Sequence, residues 1–109
     1  MATNLEEQLA LWHQNRFGPD TAQMAPRIFR KLCEEVGELG EALMFDIDAP
    51  VEDAMREIKM EAGDVAVCLL SLLRCATGER SLQRVMAIAH DKLETRLAKA
   101  LKPAEGEEE

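Results

Sequence analysis

Tyrosine is absent from this 109-residue chain, and one Trp and three Phe are its only aromatics. So few aromatics, among many Leu, Ala and Met residues, favour helix over sheet. Cysteine occurs only at positions 33, 68 and 75, which gives no even disulfide framework and no CxxC pair. A reducing, cytoplasmic location is therefore expected. Histidine is limited to His13 and His90, with no Glu-x-x-His pair, which excludes a di-iron carboxylate bundle. Long apolar runs are missing too. The longest, residues 65–73, is interrupted by Ser71 and has about half the length a membrane span needs. The N-terminal stretch carries Glu6 and Glu7 and lacks a basic-then-apolar leader pattern. No membrane partner is expected.

Basic residues are the minority, 13 against 21 acidic ones, for a net charge of −8. Phosphate backbones are held by Lys and Arg, so nucleic acid is a poor candidate partner. The acids concentrate in residues 31–64, where eleven of them face only Lys31, Arg56 and Lys59. Residues 65–101 run the other way, with six bases against three acids. An acidic middle suggests a cation site, with a solvated helix face as the ordinary alternative.

What is present is enough for one domain. A chain of this size buries roughly 60–70% of its unfolded surface, and its apolar content of 47% excludes wholesale disorder. Apolar spacing predicts four helices: about 4–16, 26–45, 51–76 and 82–101. Phe17-Gly18-Pro19-Asp20 breaks the first, Pro26 suits the first turn of the second, and Asp48 is a candidate cap near Pro50. Gly78 stops the third helix and Ser81 caps the fourth. The expected architecture is all-α and four-helix bundle-like, a single domain over residues 1–101 with an acidic, disordered tail over 102–109. The third helix is apolar nearly all round from Val65 to Leu73, more than a small bundle covers alone, so self-association should complete the fold. Gly37, Gly40 and Gly63 interrupt helical patterns, which close packing of a neighbour or room for a ligand would explain.

On the second helix the apolar stripe is Ile28, Leu32, Val36, Leu39 and Leu43. Glu35 falls on its edge, Glu38 beside it, and Glu34 further round. On the third helix Glu57, Glu61 and Asp64 flank the core stripe in the same way. If the two helices pack antiparallel, Glu35 and Glu38 can face Glu61 and Asp64. Four converging carboxylates repel one another unless a cation neutralises them. An all-oxygen set suits Mg²⁺, Mn²⁺ or Ca²⁺ rather than Zn²⁺. Lys92, Arg96 and Lys99 form a basic stripe on the fourth helix that could meet phosphate charge.

Glu34-Glu35-Val36-Gly37-Glu38, followed after 22 residues by Glu61-Ala62-Gly63-Asp64, resembles the EExxE…ExxD signature of MazG-like nucleotide pyrophosphohydrolases, of the all-α nucleoside triphosphate pyrophosphatase superfamily. The resemblance spans about residues 9–100. It implies a MazG-type fold and Mg²⁺-dependent hydrolysis of a nucleoside triphosphate between its α and β phosphates, with Mn²⁺ able to substitute. It further implies Glu35, Glu38, Glu61 and Asp64 as metal ligands and Glu34 as an outer acid, a ligand for a further metal or the base for the attacking water. Lys92 and Arg96 would bind phosphate, although the Asn common in this part of family members is missing. Trp12 and Phe17 are candidates for stacking on the base, with helix packing as their alternative. The family's habit is a homodimer or homotetramer. Two other functions remain open at this point: a phosphoribosyl-nucleotide pyrophosphohydrolase of the same superfamily, and a silent helical dimerisation module. His13 and His90 lack ligand companions and are assigned to the surface or to ordinary hydrogen bonds. Cys68 and Cys75 read as core filler.

Overall fold

The computed structural model describes residues 4–44, 48 and 50–102. Helix α1 (Leu5–Phe17) is followed by a short 3₁₀ turn (Ala22–Met24), then α2 (Ala25–Ala42), α3 (Val51–Thr77) and α4 (Leu82–Leu101). Among the described residues there is no strand, and the all-α expectation holds. Phe45 and the acidic stretch 103–109 lie outside the described residues.

Each helix boundary has a local cause. Asn4 Oδ1 accepts from the Glu7 amide at 2.8 Å, and Glu6 and Glu7 meet the positive end of α1. The helix stops at Gly18, whose φ of 91° is open to glycine. Pro26 sits in the first turn of α2. The cap of α3 is Pro50 rather than Asp48, and Glu52 and Asp53 supply the negative charge of its first turn. Gly78 ends α3 in the left-handed conformation, at φ 77° and ψ 4°. Ser81 Oγ accepts from the Arg84 amide at 3.2 Å and opens α4. The Glu79 carboxylate fixes this corner by accepting from the amides of Arg80 and Ser81 and from Arg84 Nε.

The main packing is α2 against α3. They run antiparallel: Ile28 meets Cys75 at one end, and Glu38 meets Glu61 towards the other. Phe17, Ile28 and Cys75 form the core, flanked by Trp12, Met24, Ala25 and Leu72. Cys68 is buried as well, as expected of core filler, whereas Cys33 is exposed.

Helix α1 is held to α3 by polar groups as well as apolar ones. His13 is 1% exposed, and its Nε2 lies 3.4 Å from Cys75 Sγ. Burial pushes the imidazole below its ordinary pKa and the Arg74 guanidinium adds to this, while the Pro19 backbone and Asp20 pull the other way. Asp20, in the loop after α1, accepts from Arg74 Nε at 3.0 Å and also from Arg80. Desolvation acts to raise the Asp20 carboxyl, but the two guanidinium groups outweigh it and hold it below the usual range. One carboxylate thus ties the α1 loop to both ends of the α3–α4 corner.

Helix α4 stands apart. None of its residues is buried, and it is not packed along α1 or α2. The radius of gyration is 18.3 Å, against about 13 Å for a compact chain of this length. Met86, Leu93, Leu97 and Leu101 are all exposed on α4. The α2 stripe is covered only in part: Ile28 is buried, Leu32 and Leu39 are half-buried, and Val36 and Leu43 are exposed rather than in the core. α1 and the 3₁₀ turn screen the end of α2 that carries Ile28, and beyond α3 no other described element of the chain screens the far end.

Candidate metal centre

Two helices build the site. α2 contributes Lys31, Glu34, Glu35 and Glu38, and α3 contributes Glu61 and Asp64. Antiparallel packing brings one carboxylate oxygen each of Glu35, Glu38 and Glu61 within 4.8 Å of one another. Glu35 is 7% exposed, and its Oε2 has no hydrogen-bond partner. Glu61 Oε2 is likewise buried and without a partner.

Such orphaned oxygens carry a desolvation cost. One ammonium offsets part of it: Lys31 Nζ lies 3.0 Å from Glu35 Oε1 and 3.6 Å from Glu34 Oε2. The bond to Glu35 raises the Lys31 pKa. The carboxyl of Glu38 is pushed up, first by the Glu35 carboxylate beside it, with Glu61 adding to the effect. Three carboxylates against one ammonium leave the cluster short of positive charge. Unused buried oxygens and an all-oxygen donor set fit a hard divalent cation.

Asp64 is exposed and not part of the tight trio, but it lines the same cleft as Glu35. That cleft encloses about 280 Å³. Lys31, Glu35 and Asp64 form its charged side, and Leu5, Leu9, Trp12, Val67 and Leu70 its apolar wall. Cys68 also lines it, but burial and then the Glu35 charge push its thiol up, which disfavours the nucleophilic thiolate.

The other candidates are spread out. Glu34 points to solvent with its side chain 59% exposed, consistent with an outer position. Trp12 lines the cleft, and its ring meets Phe17 edge-on with centroids 5.5 Å apart. Phe17 itself is buried against Ile28 and Cys75, so it supports Trp12 from behind and does not line the cleft. Lys92 and Arg96 are exposed on α4, where they share a shallow groove with Asp91 and Thr95. Within one chain they are not brought to the acid cluster. A second triple, His90, Asp91 and Glu94, is fully exposed on one helix and has no orphaned buried atom.

Two features escaped the sequence reading. The i, i+3 and i, i+4 spacing of Lys31 to Glu34 and Glu35 was a readable signal for the ion pairs. The contact between His13 and Cys75, 62 positions apart, left none.

Residues 23–100, well over half of the chain, match the family model of the MazG nucleotide pyrophosphohydrolase domain. The match begins after α1, so Trp12 and the apolar wall from α1 lie outside it. Comparisons with curated proteins and with solved structures gave no match.

Proposed function

The chain belongs to the family of MazG nucleotide pyrophosphohydrolases, and from that premise we propose that it is a Mg²⁺-dependent enzyme cleaving nucleoside triphosphates between the α and β phosphates. The products are a nucleoside monophosphate and pyrophosphate. One observation carries the reading: Glu35, Glu38 and Glu61 converge while buried oxygens of Glu35 and Glu61 lack any partner. These three, with Asp64 at the cleft edge, would hold the ion. When bound, a divalent ion neutralises triphosphate charge and polarises phosphoryl oxygens.

The chain's own groups account for the rest. The apolar wall around Trp12 gives a base a face to stack on, while the charged side of the cleft takes the phosphates. Water attacks the α phosphorus, the bond to the bridging oxygen breaks, and pyrophosphate leaves. Glu34, exposed beside Lys31, accepts the proton of that water. Lys92 and Arg96 serve phosphate only where association lays α4 of one copy over the cluster of another. The uncovered apolar residues of α4 and of the far end of α2 support such a homodimer or homotetramer. No described helix is long and apolar enough to cross a membrane, and all three cysteines are free, which agrees with a cytoplasmic enzyme.

Glu35→Gln tests the reading. It removes one ligand charge at nearly constant shape. Turnover of a triphosphate with Mg²⁺ should be abolished while the helical content by circular dichroism is kept. Unchanged turnover would overturn the assignment.

A further inference from the structure

Lys31 is more than a salt-bridge partner. We propose that it is an exchanging cation: it neutralises Glu35 while no metal is bound, yields that carboxylate to the divalent ion, and then turns its ammonium to the substrate's phosphates. The inference rests on the acid cluster being a metal site.

Three observations and one electrostatic argument support it. First, the ammonium is bonded to the acid that is buried most deeply. Lys31 Nζ lies 3.0 Å from Oε1 of Glu35, the cluster member that is 7% exposed and whose Oε2 is orphaned. A carboxylate in that position needs a cation at all times, before a metal arrives as well as after. Second, the donor comes from the same helix, one turn earlier. The pair therefore forms as α2 forms and needs no other element.

Third, the two cations compete. A divalent ion among Glu35, Glu38 and Glu61 would share Glu35 with an ammonium already against it. Like charges at that range repel strongly where solvent is sparse. The ion carries twice the charge and can satisfy several orphaned oxygens together, so the ammonium gives way. Fourth, Lys31 has somewhere to go. Its side chain is 26% exposed and lines the cleft together with Trp12 and Asp64. A lysine head is a point charge on a flexible four-carbon stem, which suits a cation that moves. Its position between the acid cluster and the Trp12 wall is where a triphosphate with its base on Trp12 would pass. Glu34, 3.6 Å from Nζ and mostly exposed, offers a second anchor during the exchange.

The test uses the full chain with Lys31→Met and, as a second variant, Lys31→Arg. Helical content in EDTA confirms that both fold. Mn²⁺ alone is then titrated and free Mn²⁺ read by electron paramagnetic resonance, so that binding is measured without turnover. Lys31→Met should bind Mn²⁺ roughly three- to tenfold more tightly than the wild type, the range one ion pair of this burial supports. Its KM for a nucleoside triphosphate should rise by a similar factor. Lys31→Arg, with a forked guanidinium that grips carboxylates more firmly, should bind Mn²⁺ more weakly than the wild type. A lysine whose charge does not bear on Glu35 would not tighten metal binding when removed, and one that never turns to the substrate would leave KM unchanged. Mn²⁺ bound equally or more weakly by Lys31→Met overturns the role of the lysine alone. No Mn²⁺ bound by any of the three chains overturns the metal site and this inference with it.

Discussion

His13 Nε2 lies 3.4 Å from Cys75 Sγ, and this buried contact joins α1 to α3 across 62 positions of sequence. It matters to the site because α1 carries Trp12, the aromatic wall of the cleft. The placement of that wall thus depends on a buried imidazole.

This makes stability pH-dependent with a definite sign. Burial holds the folded-state pKa of His13 below the ordinary 6.5. Below pH 6.5 the unfolded chain takes up a proton that the folded chain resists. Stability is therefore fully present above that value and is lost as pH falls towards the folded pKa. Urea unfolding at pH 7.5 and 5.5 should show the wild type losing more stability than His13→Leu over this interval. Taking the difference between the two chains cancels the groups they share, including Glu38, whose raised pKa acts in the opposite direction. Parallel losses would show that His13 does not titrate in this way.

The glycines of α2 and α3 give a second prediction. A Cβ built on Gly37, Gly40 or Gly63 meets nothing within 4 Å. Close packing inside the chain, one of the two reasons expected from sequence, is not why they are there. Gly40→Ala should stabilise the chain by about 0.5–1 kcal/mol, measured by chemical denaturation, because a helical glycine carries an entropy cost and the space is free. Gly37 and Gly63 lie inside the two acidic motifs. Alanine there should stabilise similarly yet lower triphosphate turnover if the open space serves the substrate.

Association is checked on α4. Leu93 and Leu97 are 65% and 59% exposed on a helix that has no buried residue. Sedimentation should find the wild type larger than one chain. Leu97→Lys should shift it to monomer and reduce turnover, since α4 carries Lys92 and Arg96. A monomeric wild type would contradict the reading.

Much of this was legible in the sequence, for physical reasons. Periodicity placed four helices within a few residues of their observed bounds, because each has an end signal of its own: Asn4 and Gly18 for α1, Pro26 for α2, Gly78 for α3 and Ser81 for α4. Glu35 was expected on the core edge and is buried there. Periodicity finds a helix face, however, and does not find what covers it. Val36 and Leu43 share the stripe of Ile28 and are exposed, because α1 reaches only one end of α2. The stand-off of α4 was hidden for the same reason. The burial of His13 was also hidden, because it depends on partners in a loop and on a distant helix.

The most direct test of the central claim is the identity of the products. A panel of canonical dNTPs and NTPs is incubated with the wild type in Mg²⁺, in EDTA, and with Glu61→Gln in Mg²⁺, and the products are separated by ion exchange. Equal amounts of nucleoside monophosphate and pyrophosphate, formed only by the wild type with Mg²⁺, are the expected result. Nucleoside diphosphate with orthophosphate, or equal product in EDTA, would contradict it.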